Sequence, residues 1–317
     1  MAKSKEIFVG IDVGKTWLDM AVWDEKEVIR IQNDEAGIEE LLALLGTINP
    51  KLIAVEASGG YEQASAQAMI LKGYQVAVVN PTRVRALAKA LGLLAKTDRI
   101  DARLIATYAK KIRPAAKEIQ EEKEIRLKAL VTRREQLVEM RAAEQCRLGT
   151  THNSMKACVQ EHIQWIKAQI EVLEIEIKQC LDSLPKWQAQ VERLDSIPGV
   201  GFITAITVVV EMPELGQLNR QKIAALAGLA PFNCDSGKKR GKRRIFGGRK
   251  EVRRVLYMAC LSAMIHNPVI RSQHNRLIER GKLFKVAMTA SMRKMLTIMN
   301  AMARDEVYWK TPTLVSA

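Results

Sequence analysis

The apolar and polar positions of the chain follow two different periods, and the change between them divides the sequence. Residues 6–34 hold three short apolar runs separated by polar or glycine-containing turns, which is typical of adjacent strands. Helical and strand patterns then alternate: helices are predicted over 36–48, 61–73, 81–92 and 98–111, and strands over 51–57 and 74–80. This succession predicts a mixed α/β sheet covered by helices, although the pattern does not give the order of the strands.

Residues 117–190 are charged and almost free of glycine and proline, which is typical of long helices. In their second half, apolar residues recur in steps of three and four, as at the a and d positions of a coiled coil: Ile163, Ile166, Ile170, Leu173, Ile177, Cys180 and Leu184. An earlier helix carries Leu127, Leu130 and Leu137, and residues 148–154 separate the two helices. We predict a helical hairpin or coiled coil. It either packs on itself as a stalk or joins two copies, and the narrow seam with charged flanks favours dimerisation.

The remainder of the chain, 191–317, has the pattern of a mostly α-helical domain. Residues 194–212 place a Pro-Gly-Val-Gly turn between two helical patterns, as in a helix-hairpin-helix. There, Gly199 and Gly201 would let backbone N–H groups approach a phosphate; the alternative is an ordinary turn between helices. Methionine and leucine stripes at helical spacing over 252–265 and 284–303 predict core helices. We therefore divide the chain into domains 1–116, 117–190 and 191–317.

Composition narrows the classes of partner. The 317 residues carry a formal net charge of +15, which favours polyanions and nucleic acid above all. No apolar run has membrane-spanning length and no apolar signal segment follows the first lysines, so we expect no membrane association and a cytoplasmic location. The five cysteines form no C-x-x-C pair, which argues against a disulfide framework or a zinc knuckle.

Four acids are candidate metal ligands, although each has a simpler explanation when taken alone. Asp12 and Glu56 lie at the ends of apolar strands, where either could begin a turn or be exposed, and Asp98 could cap a helix. Taken together with Asp101, these acids favour a metal site, because carboxylates at the ends of apolar strands are costly to bury unpaired. Two neighbouring acids are ranked lower, Asp19 in mid-strand and Glu62 in the next helix.

A hard divalent cation would offset the cost of burying these acids. Asp98 and Asp101 are three residues apart and share one helix face, opposite the two acids borne on strands. Mg²⁺ takes oxygen ligands, and four carboxylates can hold two ions that clamp both oxygens of an in-line phosphoryl displacement. The sequence therefore predicts a magnesium site with two ions at the ends of the strands.

A second candidate site is a strongly basic segment that begins after Ser236. Ten cations and one acid, Glu251, lie between residues 238 and 254, and the cations are the predicted nucleic-acid ligands: Lys238, Lys239, Arg240, Lys242, Arg243, Arg244, Arg249, Lys250, Arg253 and Arg254. Glycines and a following apolar helix favour a folded, anion-binding loop over a disordered face. Ser236 is a candidate nucleophile, although Ser-Gly alone is more often a turn. No sequence spacing fixes a histidine or lysine base, so a metal-bound hydroxide or a carboxylate would have to activate the hydroxyl.

In their order along the chain, the segments GIDVGK, AVEASGGY, KTDRIDAR, the Pro-Gly-Val-Gly turn and the basic serine segment resemble one family. These are the DEDD-type serine transposases of insertion-sequence family one-hundred-ten, which are bridge-RNA-guided recombinases with Piv-like DNA invertases as relatives. The resemblance covers nearly the whole chain. It implies a RuvC-like (RNase H-like) fold for residues 1–116 and a transposase domain for 191–317.

The resemblance also implies roles for individual residues. The metal-binding acids of the family fall on Asp12, Glu56, Asp98 and Asp101, and its nucleophilic serine falls on Ser236. The implied activity is cutting and rejoining of DNA strands through a phosphoserine link. The implied partners are Mg²⁺, a structured noncoding bridge RNA that guides the protein, and double-stranded donor and target DNA. The family works as dimers that form a tetramer in the synaptic complex, in the nucleoid of the bacterial cytoplasm.

The coiled coil separates the acids from the serine along the chain, so we expect Ser236 of one protomer to meet the acids of another. Two other functions stay open. A RuvC-like metal-dependent nuclease or Holliday junction resolvase would use water and would not need Ser236. A non-enzymatic nucleic-acid-binding protein would need neither the serine nor the acids.

Overall fold

The structure, a computed structural model, describes residues 6–93, 98–116, 121–232 and 243–311, and for residues 98–100 it describes the backbone alone. The chain divides into two compact units, Met1–Gln120 and Glu121–Ala317, called here the N-terminal and C-terminal units. The predicted division into domains 1–116, 117–190 and 191–317 stays a prediction.

The N-terminal unit contains a five-stranded sheet in the order β3-β2-β1-β4-β5. β1, β2 and β3 form an antiparallel meander, and β4 and β5 continue the sheet parallel to β1. The strands are β1 (Phe8–Val13), β2 (Trp17–Val22), β3 (Val28–Gln32), β4 (Leu52–Glu56) and β5 (Val76–Val79). The helices of this unit are α1 (Glu35–Ile48), α2 (Gln63–Leu71), α3 (Pro81–Ala90) and α4 (Asp98–Ile112). The predicted mixed sheet is confirmed, and its order is consistent with a RuvC-like arrangement.

Alternation along the central strands gives each face of the sheet its own core. On β1, Val9 and Ile11 pack with residues of α1 and α2, whereas Phe8 packs with residues of α3 and α4. Even-numbered positions of β1 therefore face α4, because successive side chains of a strand point to opposite faces. The same face carries Leu52 and Ala54 of β4. This alternation places the even-numbered residues Asp12 and Glu56 on the α4 face.

The C-terminal unit is helical apart from one short pair of strands. Its elements are α5 (Glu122–Thr150), α6 (Lys156–Asp182), α7 (Pro185–Asp195), α8 (Phe202–Glu211), α9 (Arg220–Leu226), β6 (Pro231–Phe232), β7 (Arg244–Ile245), α10 (Lys250–His266), α11 (Pro268–Glu279) and α12 (Phe284–Asp305), with a 3₁₀ turn at Asn153–Met155. The predicted methionine and leucine stripe on α12 is confirmed as core: Met288, Met292, Met295, Leu296, Met299 and Met302 are buried. No helix among the described residues has the length and apolar character needed to cross a membrane.

Helices α5 and α6 form an antiparallel hairpin with the predicted break between them. Arg134 of α5 donates to Glu174 of α6 at 2.8 Å, and farther along His162 lies 3.4 Å from Glu144. The predicted seam on α6 packs against α5 of the same chain. Its outer part forms a small cluster with Leu137, and its inner part joins the main core of the C-terminal unit. The seam is therefore occupied within the chain, as the stalk interpretation expects.

Candidate active site and nucleic-acid interface

The two strand-borne acids are neighbours across the parallel pair of β1 and β4. The register pairs Ile11 with Val55, and Asp12 and Glu56 are the next residue of each strand. Both acids therefore lie at the carboxyl ends of adjacent strands, and both are half-buried. Because their parity is that of Phe8 and Leu52, they face the same side of the sheet, the side covered by α4.

Helix α4 approaches this edge of the sheet closely because Gly10 has no side chain. A Cβ atom at Gly10 would lie 2.1 Å from the backbone nitrogen of Ala106 and 2.5 Å from the carbonyl oxygen of Ala102. Asp98 begins the helix one turn before Ala102, and Asp101 directly precedes Ala102. Asp98 and Asp101 therefore lie at the start of α4. This helix contacts β1 at Gly10, two residues before Asp12.

Asp101 is buried, with 7% of its surface exposed, and it has a cationic partner. Arg85 of α3 donates through Nη2 to Asp101 Oδ2 at 3.0 Å. A buried carboxylate without a partner would be costly, and the pair with Arg85 offsets this cost. Sequence reasoning missed Arg85, because no local spacing links α3 to α4.

The chemistry of the donor set fits an oxygen-preferring divalent cation. Asp12, Glu56 and Asp101 supply carboxylate oxygens, which are the ligands that Mg²⁺ takes, and no thiolate is among them. Among the side chains that the structure describes, no group of three or more His, Cys, Asp or Glu is close enough to hold a metal ion. The side chain of Asp98 lies outside that description. Assembly of all four acids around metal therefore stays a prediction.

The two lower-ranked acids have structural partners of their own. Asp19 lies directly across from Asp12 in the β1–β2 ladder, and Arg30 holds it through two hydrogen bonds of 2.8 and 2.7 Å. Glu62 accepts hydrogen bonds from the backbone of Ser58 and Gly60. Burial alone would raise the pKa of Glu62, but these bonds outweigh it and leave the pKa below its ordinary value. Both acids shape the turns and strands around the site.

The segment that contains Ser236 starts and ends at a small antiparallel ladder. β6 and β7 pair Pro231 with Ile245 and Phe232 with Arg244, and residues 233–243 connect them. Ser236, Lys238, Lys239, Arg240 and Lys242 lie within 233–242, outside the described residues. Their predicted roles as nucleophile and nucleic-acid ligands therefore stay predictions.

The chain segments before β6 and after β7 are held together by a close contact between two glycines. We call Ala227–Leu229 and Gly247–Arg253 the loop base. A Cβ at Gly248 would lie 2.1 Å from the backbone nitrogen of Gly228, and both glycines have positive φ, at 71° and 70°. Arg253 donates to the carbonyl oxygens of Ala227 and Gly247. These contacts fix the point from which the serine-containing segment leaves the core.

Further predicted nucleic-acid ligands are engaged in contacts within the C-terminal unit. Arg249 forms a bidentate pair with Glu214 at 2.7 and 2.8 Å. Lys250 donates to Glu139 of α5 at 2.9 Å, and Arg254 pairs with Glu135 and Glu139 of the same helix. Of the six described cations in the predicted set, Arg243 and Arg244 are exposed, directly before and at the start of β7. The other four anchor the loop base and α10 to the rest of the unit.

The bidentate pair with Arg249 affects the pKa of the Glu214 carboxyl group. Burial alone would raise the pKa of this carboxyl group. The hydrogen bond and the charge of Arg249 outweigh burial and lower the pKa below its ordinary value of 4.5. The pair is therefore charged at neutral pH.

The Pro-Gly-Val-Gly turn joins α7 to α8 as predicted, and its two glycines differ. Gly199 has a φ of 94°, and a Cβ there would lie 2.5 Å from the backbone nitrogen of Ala263 on α10. Gly201 precedes α8 with extended backbone and open space around its Cβ position. Gly199 is therefore required for packing, whereas phosphate binding at either glycine stays a prediction.

The comparisons with known proteins agree with these features. Residues 9–154 match a DEDD-type family described as transposase, and residues 191–275 match a family described as transposase IS116/IS110/IS902. Pilin gene-inverting proteins of Moraxella lacunata and Moraxella bovis are each 30% identical over 312 residues, which cover 94% of this chain and 96% of theirs. An uncharacterized 43.6 kDa protein of insertion element IS110 from Streptomyces coelicolor is 27% identical over 148 residues, which cover 46% of this chain and 36% of that protein. The chain therefore belongs to the IS110-type DEDD transposases and recombinases.

Proposed function

We propose that this protein cuts and rejoins DNA strands through a covalent link between DNA and Ser236, with the acids of the N-terminal unit as its metal ligands. The observation that carries the proposal is the strand register. It makes Asp12 and Glu56 neighbours at the ends of β1 and β4, on the face crossed by the helix that bears Asp98 and Asp101. The match to a family of DEDD-type transposases supports the assignment of these carboxylates to chemistry at a DNA phosphodiester.

Asp12, Glu56, Asp98 and Asp101 would hold Mg²⁺, in our proposal as two ions. When bound, the metal supplies charge stabilisation at the phosphate and at the leaving oxygen. The chain's own contribution is to hold the ligands in place. Gly10 lets α4 lie against β1, and Arg85 compensates the charge of the buried Asp101.

The proposed cleavage step exchanges one phosphate ester bond for another, so it needs no oxidant, reductant or energy-rich cofactor. A bond forms between Oγ of Ser236 and the phosphorus as the bond from phosphorus to the leaving sugar oxygen breaks. The hydroxyl proton passes to a nearby base, and the leaving oxygen takes up a proton. Attack by a sugar hydroxyl on the serine–phosphate link then reverses these changes and joins the new strands.

We further propose that a structured noncoding RNA guides the protein to its donor and target sites. In that case base pairing reads the sequence, and the protein contacts mainly the phosphate backbone. The exposed Arg243 and Arg244, together with the basic composition of residues 238–242, support the contact with the phosphate backbone. The paired Arg249, Lys250 and Arg254 are assigned to the support of the loop base.

We also propose that the protein forms a homodimer through the outer face of α6. The predicted seam is used within the chain, but Trp165, Val172 and Ile175 expose 53%, 48% and 58% of their surface. With Ala168 they recur in steps of three, four and three, which is the spacing of a coiled-coil seam. A second copy would cover this stripe with its own. Val172→Glu with Ile175→Glu should give a monomer in sedimentation, whereas Gln164→Glu should not; an unchanged mass in the double variant rejects this face.

A strand-joining assay tests the proposed activity against its alternatives. Protein, RNA transcribed from the flanking element, a donor and a target duplex, and Mg²⁺ are incubated, and recombinant junctions and nicked strands are counted separately. We expect junctions from the wild type, and neither product from Glu56→Gln or Ser236→Ala. Nicks that persist in Ser236→Ala would indicate a nuclease that uses water. Binding without any product from the wild type would indicate a non-enzymatic role.

The proposal that two protomers share an active site has its own test. Mixed assemblies of Asp12→Ala and Ser236→Ala proteins contain intact acids in one protomer and an intact serine in the other. If the groups act in trans, the mixture regains junction formation that neither variant has alone. No recovery at any mixing ratio would contradict the trans arrangement.

A further inference from the structure

The C-terminal unit contains a basic cavity away from the serine-containing segment. It is an open cleft of about 390 Å³ between the start of α9 and the facing sides of α11 and α12. Its walls carry Arg220, Gln221, Gln273, Arg293, Lys294 and Thr297. None of these residues belongs to the basic segment that the sequence analysis selected.

The charge of this cavity is uncompensated within the described part of the chain. Three cations line it, Arg220, Arg293 and Lys294, and none of its lining residues is acidic. Among the described residues, none of the three cations takes part in an ion pair. Like charges gathered in a concave site raise the local potential, and an anion would lower it. The loop base differs, because Arg249, Lys250 and Arg254 there are paired with glutamates.

The frame of the cavity is held by hydrogen bonds between its elements. Gln273 of α11 donates through Nε2 to the carbonyl oxygen of Ala290 on α12 at 3.2 Å. Asn300, one turn beyond Thr297 on α12, accepts from the backbone of Gly216 at 2.9 Å and donates to the carbonyl oxygen of Leu218 at 2.8 Å. The segment that leads into α9 is thereby tied to α12. The elements that carry the three cations are therefore held together by these bonds.

We propose that this cavity binds a backbone phosphate of double-stranded DNA. Guanidinium groups match the oxygens of a phosphate, and the amide of the exposed Gln221 is an additional donor. Double-stranded DNA is the favoured source of the phosphate because the chain belongs to a family of DNA recombinases; to that extent the assignment rests on the proposed function. The site would hold the duplex at a second point, away from the serine-containing segment.

Equilibrium binding without catalysis tests this assignment. A labelled 30-base-pair duplex of arbitrary sequence is titrated in EDTA, without RNA, at several salt concentrations. The variant is Arg220→Gln with Lys294→Gln, and both positions are exposed, so the fold should be preserved. Lys156→Gln with Lys186→Gln is the charge-matched control, at exposed positions on α6 and α7. Circular dichroism checks that all proteins unfold at the same temperature.

Loss of this one phosphate contact should reduce the magnitude of the slope of log K against log salt by about 1 in the cavity variant. The control variant should keep the wild-type slope to within about 0.5, because a cation without a phosphate contact releases no counterion. Equal slopes in the two variants would overturn the proposal. So would an effect confined to a 30-base-pair RNA duplex, or protection against thermal unfolding by inorganic phosphate with no effect on DNA binding.

Failure of this proposal and failure of the proposed function give different results. Ser236→Ala should bind the duplex with the wild-type slope, because it leaves the cavity intact. A wild-type protein that never joins strands but shows the cavity-dependent slope would contradict the recombinase proposal alone. A protein that joins strands while Arg220→Gln with Lys294→Gln leaves the slope unchanged would contradict the cavity proposal alone.

Discussion

The acid-bearing edge of the N-terminal sheet and the loop base of the C-terminal unit place their charges in different ways. At the sheet edge, strand register and a glycine contact bring Asp12, Glu56 and the start of α4 to one face. At the loop base, the charges are placed by long-range ion pairs such as that between Arg249 and Glu214, which lie 35 residues apart.

The contrast between the two regions shows which functional residues can be located from the sequence. The direction of a side chain in a strand or helix is set by the geometry of that element. Acids at two strand ends can therefore be placed from the sequence pattern alone. A run of cations has no such constraint. Its members divide between structural pairing and exposure according to partners elsewhere in the chain, and the density of charge does not tell which is which.

The largest expected effect separates two acids that face each other in one ladder. Asp12→Asn should lower strand joining by at least about 10³-fold, because a neutral amide removes one anionic ligand and several kcal/mol of charge stabilisation. Asp19→Asn, directly across the ladder, should cost about 1–3 kcal/mol of unfolding free energy through its lost bonds to Arg30. It should keep joining within about tenfold of the wild type. Equal loss of joining in both variants would contradict the assignment of Asp12, and not Asp19, as a metal ligand.

The next effect concerns the glycine that lets α4 approach β1. Gly10→Ala should lower the free energy of unfolding by about 1–3 kcal/mol, because the new Cβ overlaps the backbone of α4. Displacement of Asp98 and Asp101 should also lower joining by about 10²-fold. Gly14→Ala is the control, since its Cβ would meet only one atom, at 3.4 Å. Urea unfolding and the joining assay would report both quantities, and a fully active, stable Gly10→Ala protein would refute the close approach.

A smaller effect tests the pair between Arg85 and Asp101. Arg85→Gln should lower the free energy of unfolding in EDTA by about 1–3 kcal/mol, because the buried carboxylate loses its compensating charge. Mg²⁺ should restore part of this loss, so the stabilisation by Mg²⁺ should be larger in the variant than in the wild type. Arg83→Gln, exposed on the same helix, serves as the control. Equal stabilisation by Mg²⁺ in all three proteins would indicate that Asp101 does not bind the metal.

The smallest effect lies at the loop base. Arg249→Gln should cost about 0.5–1 kcal/mol at neutral pH, since the pair with Glu214 is partly exposed. The pKa of Glu214 is lowered by folding, so this contribution is fully present above the ordinary pKa of 4.5 and is lost as the pH falls through the folded-state value. The difference in unfolding free energy between wild type and variant should therefore shrink below about pH 4.5. A difference that stays constant from pH 7 to pH 3 would contradict this assignment.

The fold of the N-terminal unit was largely readable from sequence because its elements have clear periods. All five strands and four helices were predicted, and β1, β2 and β3 lie within the three predicted runs. The strand order was not readable, because it depends on pairing between distant segments. In the C-terminal unit α11 was not predicted as a separate helix, although Asn267 caps it and Pro268 begins it.

The candidate site was predictable only where single elements carry it. The strand-end positions of Asp12 and Glu56 follow from the apolar runs that precede them. Arg85, the pairing of Lys250 with Glu139 and the cations of the α9–α12 cavity were missed, because each depends on the packing of separate helices. A heptad seam on α6 was visible, but its occupation by α5 of the same chain was one of two open interpretations.

The most direct test of the central claim is capture of the covalent intermediate. Protein, element RNA, Mg²⁺ and end-labelled DNA are mixed and denatured, and DNA that stays attached to protein is digested and mapped by mass spectrometry. The account predicts a single attachment at Ser236, absent from Ser236→Ala and strongly reduced in Asp12→Asn. DNA cleaved to the same extent by Ser236→Ala, with no protein-linked product from the wild type, would contradict it.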